Sequence, residues 1–416
     1  MLHCLVLPEG AGVKAVVFTL GCKVNEVESA SIAAELENRG WTVSDELSEA
    51  DIYVLNTCAV TKEAEKKSRQ LVSRALKHNP NALIYVCGCA SQKSEGSFLG
   101  KGVRFVCGAR KKEEVVNAIA SDFGGEGCLS LCPPKQLKTR AFIKIEDGCN
   151  NFCSYCVIPY LRGRVTCRTV ENIVEEISSC TSPEIVLTGI NISAYNAHPE
   201  GLAGLIKAIS FTDKRIRLGS IECRVIDEKL LNALKELKDF APQFHLSLQS
   251  GSNAVLKAMN RKYTREEYLA KCDLIYKTFP DAAITTDIIA GFCGETEEDF
   301  ADSLSIIEEA KLSRVHAFAF SPREGTRAYD MSDVPKDIKS ARLHRLLQAA
   351  ENAALAYLNA RLGNVYSVIF EDFDGEYTTG YTEGYIKVYV EGNHSGRASV
   401  KLVSPFRDGA VGQVIS

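Results

Sequence analysis

The feature that most constrains the fold is a repeated alternation of short β-branched runs with polar, helix-forming stretches. In residues 13–125, the β-branched runs predict three clear strands, at residues 13–20, 51–56 and 83–86. Helices are predicted at residues 26–39 and at about 63–77. Alternation of this kind is typical of a parallel sheet with helical crossovers. We therefore predict that residues 1–125 form an open parallel α/β domain.

The alternation restarts at Arg140 and continues to about Arg323. Six strands are predicted there, at residues 141–145, 185–188, 215–218, 244–248, 283–289 and 315–320. Thr264 and Glu267 form a capping-box pattern, which predicts the start of a helix. The pair Thr296 and Asp299 resembles another. Six strand–helix units predict a partial (β/α)6 barrel over residues 140–330 rather than a complete barrel of eight.

The remaining segments have simpler patterns. Residues 126–139 contain Gly-Gly, Pro-Pro and small polar residues, which indicate a linker. Connecting helices are predicted at 331–362, dominated by one long helix at residues 337–362. From Gly363, alternating Tyr, Val and Ile with glycine-rich turns predict a small all-β domain over residues 363–416.

Three cysteines follow the first predicted strand of the partial barrel, in the segment Cys149-Asn-Asn-Phe-Cys153-Ser-Tyr-Cys156. Active-site loops of such barrels lie at the carboxyl ends of the strands. Thiolates at this spacing are suited to bind three irons of a 4Fe–4S cluster. The fourth iron then has no protein ligand in the loop, which chelation of S-adenosylmethionine (SAM) by its amino and carboxylate groups requires. A zinc knuckle is the alternative, with Cys167 as the nearest fourth ligand.

Three more cysteines follow the three predicted strands of the first domain. Cys22 follows the first strand, Cys58 the second and Cys89 the third. Ligands of open parallel sheets gather at the carboxyl ends of the strands, so these cysteines are expected to converge. Each also precedes a helix, whose dipole favours a thiolate. Three buried structural cysteines are the alternative, and Cys87 is a second candidate beside Cys89, although strand alternation directs it to the other face.

The barrel region resembles the radical SAM superfamily, whose loop is C-x3-C-x2-C with an aromatic residue before the last cysteine, here Tyr155. Thr188 and Gly189 resemble the segment near the SAM amino group, and Gln249 with Ser250 resembles the polar segment near the ribose. The run from Asp287 to Gly291 resembles the glycine-rich edge near the adenine. The resemblance implies that these residues bind SAM, and that Cys149, Cys153 and Cys156 hold the catalytic cluster.

The whole chain resembles the methylthiotransferase family, a radical SAM branch with two clusters. The segment Tyr377-Thr-Thr-Gly-Tyr-Thr-Glu-Gly-Tyr385 resembles its C-terminal TRAM domain. The segments at residues 20–25, 245–251 and 259–264 are most similar to the branch that acts on N6-threonylcarbamoyladenosine in tRNA. Cys223 and Cys293 replace usual prolines of the pattern and are not expected to be ligands.

The resemblance implies a division of labour between two 4Fe–4S clusters. The cluster on Cys149, Cys153 and Cys156 would cleave SAM reductively to a 5′-deoxyadenosyl radical. The cluster on Cys22, Cys58 and Cys89 would carry the sulfur. A second SAM would methylate that sulfur, and the methylthio group would be transferred to C2 of the adenosine beside the anticodon. The implied partners are SAM, a tRNA anticodon stem-loop and an electron donor of unknown identity.

The composition of the chain argues against some classes of function and favours others. The formal net charge of −4 argues against a broadly basic nucleic-acid-binding protein. No signal-peptide pattern or membrane-length apolar run is present, so a cytoplasmic location without membrane attachment is expected. There, the 16 cysteines favour metal ligation over disulfides.

Several basic and titratable residues have two interpretations. Arg162 and Arg164 closely follow Cys156, and they either meet RNA phosphates or are solvated surface charge. His245 and His316 are either satisfied interior side chains or part of a substrate cavity. Candidates for contacts with SAM or a substrate carboxylate follow the last strand, at Arg323, Glu324 and Arg327.

Two other functions stay open at the sequence level. One is the same chemistry on an isopentenyladenosine tRNA or on a ribosomal-protein side chain. The other is a non-catalytic, RNA-binding iron–sulfur protein.

Overall fold

The structure, a computed structural model, describes residues 12–123, 131, 133–134 and 139–415. The chain divides into two compact units. The first contains the residues up to Gln136 together with Asp147–Asn150 and Cys156–Arg164, and the second contains the remainder. The predicted linker, residues 126–139, lies mostly outside the described residues.

The first unit is built on a five-stranded parallel sheet with the strand order β2-β1-β3-β4-β5. Its elements are β1 Lys14–Thr19, α1 Lys23–Asn38, β2 Thr42–Ser44, β3 Ile52–Thr57, α2 Lys62–His78, β4 Leu83–Gly88, α3 Cys89–Lys93, β5 Val103–Val106 and α4 Glu113–Phe123. The three predicted strands are confirmed as β1, β3 and β4. The edge strands β2 and β5 were not predicted, because they are only three and four residues long and do not stand out from their surroundings.

Alternation along the strands gives this sheet two apolar faces. On one face Tyr53, Leu55 and Val86 pack in one core cluster, and on the other Val54, Tyr85 and Val115 pack in a second. Consecutive side chains of β3 and β4 therefore point to opposite faces, as expected for strands that are buried on both sides.

The second part of the chain continues with β6 Arg140–Lys144, β7 Glu146–Asp147, α5 Ile158–Arg162, β8 Thr166–Cys167, α6 Val170–Ser179, β9 Glu184–Thr188, α7 Gly201–Ala208, β10 Arg215–Leu218, β11 Ser220–Ile221, α8 Glu228–Lys235, β12 Gln243–Leu246, α9 Asn253–Ala258, α10 Arg265–Thr278, β13 Ala283–Ala290, α11 Glu297–Glu309, β14 Arg314–Ala319 and α12 Lys336–Asn359. Single 3-10 turns lie at Glu95–Ser97, Ile192–Ala194, Cys223–Val225 and Arg327–Asp330. Of these elements, α5 belongs to the first unit.

The predicted partial barrel is confirmed in the second unit. Its strands pair in parallel, in the orders β10-β9-β6 and β11-β12-β13-β14. Gly219 separates β10 from β11, and its N–H donates to Leu187 O at 2.8 Å. The two short strands are thus successive parts of one strand, which makes six strand positions in all, as the sequence predicts.

Side-chain caps begin the barrel helices where the sequence places them. The Thr264 side chain accepts from the Glu267 N–H, and the Glu267 carboxylate accepts in return, so the capping box of α10 is confirmed. The same reciprocal pair is formed by Thr296 and Asp299 at α11. These caps satisfy N–H groups that no intrahelical carbonyl reaches.

The C-terminal segment is a small closed β-barrel of order β15-β16-β17-β19-β18. Its strands are β15 Val365–Phe373, β16 Tyr377–Tyr381, β17 Lys387–Glu391, β18 Arg397–Phe406 and β19 Gly409–Ile415. Arg217, a buried residue of β10, holds this small barrel in place. The Arg217 guanidinium donates to Glu383 O, between β16 and β17, at 2.9 Å and to Glu184 Oε1, on β9, at 2.9 Å. In the described residues, no helix is both long enough and apolar enough to cross a membrane.

Candidate metal centres

Cys22, Cys58 and Cys89 follow three strands that are neighbours in the first sheet. Cys22 comes after β1, Cys58 directly after β3, and Cys89 directly after β4, and the sheet order places β3 between the other two. Cys22 is exposed, whereas Cys58 and Cys89 are buried. Cys22 and Cys58 both raise the pKa of the Cys89 thiol, in keeping with three thiols in one neighbourhood.

The buried side chain of Asn25 connects the first two of these cysteine turns. Its Nδ2 donates to Leu20 O at 2.8 Å and to Thr57 O at 3.2 Å. These carbonyls lie two residues before Cys22 and one residue before Cys58. Asn25 therefore fixes the spacing of the two turns from the first turn of α1.

The third turn is held by hydroxyl groups. Thr57 Oγ1 donates to Cys87 O at 2.7 Å and accepts from Ser91 N at 3.2 Å. The Cys58 N–H donates to Ser68 Oγ at 3.0 Å. Buried backbone groups around Cys58 and Cys89 thus have partners within the fold, which makes the arrangement rigid before any metal binds.

Two glycines allow the turns to approach one another. Gly21 has a φ of +122°, and a Cβ there would lie only 3.3 Å from Cys58 Sγ. Gly88 has a φ of +109°, and a Cβ there would lie 2.4 Å from Thr57 O. Both positions favour glycine for two reasons. The positive φ is strained for residues with a Cβ, and a Cβ would lie too close to neighbouring atoms.

Arg162, on α5, is the positive charge of this site. Burial raises the pKa of the Cys89 thiol, and the charge and hydrogen bond of Arg162 oppose that rise. Arg162 Nη2 donates to Asn25 Oδ1 at 2.5 Å, and Nη1 donates to Glu28 Oε1 at 2.9 Å. Burial alone would lower the pKa of Arg162, but Cys89, Asp147 and Cys22 outweigh it, so the pKa lies above its usual value.

The prediction that Arg162 meets RNA phosphates or is solvated surface charge is wrong. Only 2% of the residue is exposed, and its guanidinium is committed to Asn25, Glu28 and Asp147. A short helix after the cysteine loop turns this side chain inward, which the local run of basic residues does not reveal. Arg164, two residues later, is exposed, and its contact with phosphate stays a prediction.

Cys87 lies on the opposite face of the sheet from Cys89. It packs with Tyr85 and Cys107 in one apolar cluster, whereas Cys89 packs with Leu55 and Val86 in the other. Complete burial raises its thiol pKa well above the usual value. The geometry therefore favours Cys89 over Cys87 as the third ligand candidate.

The first cysteine loop begins in the first unit. The Cys149 N–H donates to Gly163 O at 2.9 Å, and the Gly148 N–H donates to Asp147 Oδ1 at 2.8 Å. Cys149 and Cys156 are partly exposed. The contact with Gly163 ties the start of the loop to the end of α5.

The middle of the same loop belongs to the second unit. Phe152 has a φ of +48°, and its carbonyl accepts from Asn260 Nδ2 at 3.0 Å. The Ser154 N–H donates to Met259 O at 3.0 Å. Arg261 Nη1 lies 3.3 Å from Cys153 Sγ as a hydrogen-bond donor. Residues 259–261 therefore support both the backbone and the thiol of the loop.

The predicted SAM-binding residues lie at or near the carboxyl ends of the barrel strands. Gln249 has a φ of +78°, donates its N–H to Asp287 O at 2.8 Å and accepts from Ile289 N at 2.9 Å. Its bridge to β13 joins the predicted ribose and adenine segments. The Gly291 N–H donates to Glu295 Oε2 at 2.7 Å, and that carboxylate is held by Arg342 at 2.8 Å.

Other predicted positions have partners inside the fold. Tyr155 packs edge-to-face on Phe292. Thr188 is buried at the end of β9, and a Cβ at the adjacent Gly189 would meet Glu146 Oε2 at 2.7 Å. Ser250 is fully buried, with its hydroxyl 3.2 Å from that of Ser303. Binding of SAM by these residues stays a prediction.

His245 is a satisfied side chain on β12. Its Nδ1 lies 3.0 Å from Thr285 Oγ1, and its Nε2 lies 3.2 Å from Asp287 Oδ2. The ring of His316, on β14, is 5.7 Å away. Arg323 is buried, whereas Glu324 and Arg327 are exposed. Cys167 is half-buried, and burial raises its thiol pKa.

No role was predicted for Asn25 or Arg261, and the predicted surface position of Arg162 is wrong. All three are polar residues close in sequence to a glycine, a cysteine or a turn, and their partners lie up to 137 residues away. Arg162 lies six residues after Cys156, and this closeness to the cysteine loop could have indicated that it belongs to the site. Nothing local distinguishes Arg261 from the surface cations around it.

Among the described residues, no group of three or more His, Cys, Asp and Glu side chains is spaced to hold a single metal ion. The cysteines of an iron–sulfur cluster bind different irons, so they lie farther apart than the ligands of one ion. The donor set here consists of thiols, which suit iron–sulfur clusters.

Comparisons with known proteins agree with this architecture. The family model of the Radical SAM superfamily matches residues 143–307, and that of the Uncharacterized protein family UPF0004 matches residues 14–108. A radical S-adenosylmethionine methyltransferase, TsrM, of Kitasatospora setae has a TM-score of 0.56 and 13% identity, with 77% of each chain covered. The partial barrel with its cysteine loop defines a radical SAM enzyme, a class that uses a 4Fe–4S cluster and SAM.

Curated relatives show to which family of radical SAM enzymes the chain belongs. The threonylcarbamoyladenosine tRNA methylthiotransferase MtaB of Bacillus subtilis is 35% identical, over 90% of this chain and 89% of its own. A tRNA-2-methylthio-N(6)-dimethylallyladenosine synthase of Alkaliphilus oremlandii is 34% identical, over 87% and 83% respectively. The chain therefore belongs to the radical SAM methylthiotransferase family.

Proposed function

We propose that this enzyme inserts a methylthio group at C2 of N6-threonylcarbamoyladenosine, beside the anticodon of tRNA. The observation that carries the proposal is the second cysteine set, Cys22, Cys58 and Cys89, on three adjacent strand ends. A radical SAM enzyme needs only one cluster to cleave SAM. A second thiol site in the same chain provides a separate place for the sulfur.

Cys149, Cys153 and Cys156 are the proposed ligands of the SAM-binding cluster. When bound, this cluster supplies the electron that breaks the carbon–sulfur bond of SAM. The chain contributes the Arg261 hydrogen bond to Cys153 and the Asn260 contact that holds the loop backbone. Cys149, at the start of the loop, is held through its N–H by Gly163 O.

Cys22, Cys58 and Cys89 are the proposed ligands of the second 4Fe–4S cluster. The residues present fit such a group in three respects: the donors are all thiols, Gly21 leaves space beside Cys58, and Arg162 supplies a compensating charge. Cys22 is the exposed member of the set, so the proposed cluster has a face toward solvent, where a substrate can approach.

The choice of a radical reaction follows from the substrate. The C2–H bond of adenine is not acidic, so a general base of ordinary pKa cannot remove this hydrogen. The cofactor therefore carries the difficult chemistry, and the protein positions it and excludes competing reactions. SAM contacts are proposed for Tyr155, Thr188, Gly189, Gln249, Ser250, Asp287 and Gly291.

The same reaction on dimethylallyladenosine is the second candidate, because relatives of both names have nearly equal identity to this chain. Mass spectrometry of tRNA nucleosides separates them. A host strain that lacks both activities is complemented with this chain. We expect 2-methylthio-N6-threonylcarbamoyladenosine to appear, and appearance of the dimethylallyl product alone would contradict the proposed substrate.

A further inference from the structure

Arg162 lies within one compact unit together with both the second cysteine set and the start of the first cysteine loop. It is the last residue of α5, which begins two residues after Cys156. Only 2% of it is exposed. A charge buried to this degree is costly unless its neighbours compensate it, so its contacts indicate its role.

On one side, Arg162 reaches the second cysteine set. Its positive charge lowers the pKa of the Cys89 thiol against the effect of burial, and Cys22 in turn raises the pKa of Arg162. Arg162 also donates to Asn25 Oδ1 at 2.5 Å. The Nδ2 of the same Asn25 holds the carbonyls that precede Cys22 and Cys58. The charge of Arg162 therefore acts on Cys89, and its hydrogen bond to Asn25 reaches the turns of Cys22 and Cys58 through one amide.

On the other side, Arg162 reaches the start of the first loop. Nη1 donates to both carboxylate oxygens of Asp147 at 3.0 Å, two residues before Cys149. The next residue, Gly163, accepts the Cys149 N–H. The main chain and side chain at this helix end therefore join the two cysteine regions.

Charged side chains of both signs surround Arg162, and Arg110 donates to its carbonyl oxygen. Arg162 and Lys112 are the cations, and Glu28, which pairs with both, and Asp147 are the anions. Ligand thiolates add negative charge to this buried group. Removal of Arg162 would leave excess negative charge next to the cluster, and addition of an electron would become less favourable.

We propose that Arg162 is a positioning residue that holds the Cys89 thiolate and raises the reduction potential of the cluster on Cys22, Cys58 and Cys89. The proposal rests on the proposed function, since it requires that second cluster. The thiol of Cys153, in the other cysteine set, has a separate arginine, Arg261.

The test uses the full chain with Cys149, Cys153 and Cys156 replaced by Ala, so that only the second cysteine set remains. After anaerobic reconstitution with iron and sulfide, the midpoint potential is measured by redox titration with electron paramagnetic resonance. Arg162→Gln and Arg162→Lys are compared in this background. The matched control is Arg261→Gln, which removes a buried arginine from the other cysteine set.

We expect Arg162→Gln to keep about four irons per chain, as one 4Fe–4S cluster gives, and to lower the midpoint potential. Arg162→Lys should shift it less, because the ammonium keeps the charge but not the forked contacts. Arg261→Gln should leave the potential unchanged. If Arg162→Gln does not fold, Arg162→Lys decides, with an altered potential or spectrum expected.

An unchanged potential in folded Arg162 variants that retain the cluster would overturn the proposal. So would loss of the cluster from both variants while Arg261→Gln retains it, because Arg162 would then act only in folding. Absence of any cluster from the chain with the three Ala substitutions, before any arginine is changed, would contradict the second cluster of the proposed function, and this inference with it.

Discussion

The two cysteine sets have the same kind of ligands, but the chain brings the three thiols of each set together in different ways. Cys149, Cys153 and Cys156 lie within eight residues of sequence, and their spacing alone indicates a cluster. Cys58 follows Cys22 by 36 residues and Cys89 follows Cys58 by 31, and only the order of β1, β3 and β4 in the sheet brings them together. The first region is specified by a local motif, whereas the second is specified by topology and by the polar contacts of Asn25, Thr57 and Ser68.

This difference has a physical consequence for their sensitivity to change. A contiguous loop keeps its ligands near one another even when its supports loosen. A site assembled from three strand ends depends on every contact that sets their spacing, because loop closure between distant residues costs entropy. We therefore expect substitutions of residues that support the cysteine turns to damage the second set more than the first.

The largest expected effect separates the two sets by their products. Cys153→Ala should abolish formation of 5′-deoxyadenosine from SAM under dithionite, because an incomplete cluster cannot deliver the electron. Cys58→Ala should keep 5′-deoxyadenosine formation and lose methylthiolated tRNA. Chromatography of the reaction mixtures measures both products. Methylthiolated tRNA from Cys58→Ala would contradict the proposal that Cys58 is a ligand of a second cluster that is needed for sulfur insertion.

Asn25→Ala is expected to act on the second set alone. The substitution leaves Leu20 O and Thr57 O without their donor and removes an acceptor of Arg162. Loss of a buried partner costs about 1–3 kcal/mol for each group left unsatisfied. Iron content should fall from about eight toward four per chain, with 5′-deoxyadenosine formation retained. The control, Asn79→Ala, removes an amide that bonds Ala50 O and should keep the iron content unchanged.

Sequence patterns identify most of the fold and both cysteine sets, because strand periodicity and capping boxes are local. The order of the strands was not predicted, although the convergence of Cys22, Cys58 and Cys89 followed from the rule for strand ends. What the sequence could not show is the partner of each charged side chain. Arg162 and Arg164 have the same local character, yet one is buried against Glu28 and the other is exposed.

Gly88→Ala tests the close approach of the turns. The residue has a φ of +109°, and a Cβ there would meet Thr57 O at 2.4 Å. Strain of this kind costs about 1–3 kcal/mol, and a clash with backbone adds to it. Gly375→Ala is the matched control, since its φ is +101° but no atom lies within 4 Å of the added Cβ. Thermal melting should show a larger fall in Tm for Gly88→Ala, and equal falls would contradict the assigned contact.

The smallest expected effect concerns the reactivity of free thiols in the metal-free chain. Burial raises the pKa of Cys107 to about 12, so this thiol stays protonated below that pH and reacts slowly with iodoacetamide. Among the cysteines that the structure describes, Cys22 is exposed and should be alkylated first at pH 8. Peptide mass spectrometry over time gives the order, and early labelling of Cys107 would contradict its burial.

Iron and sulfide quantification with Mössbauer spectroscopy tests most directly the claim that the chain holds two separate clusters. The samples are the anaerobically reconstituted wild-type chain, the Cys149/Cys153/Cys156→Ala chain and the Cys22/Cys58/Cys89→Ala chain. We expect about eight irons in the first and about four in each of the others, all as 4Fe–4S clusters. About four irons in the wild-type chain, with no loss on substitution of Cys22, Cys58 and Cys89, would contradict this claim.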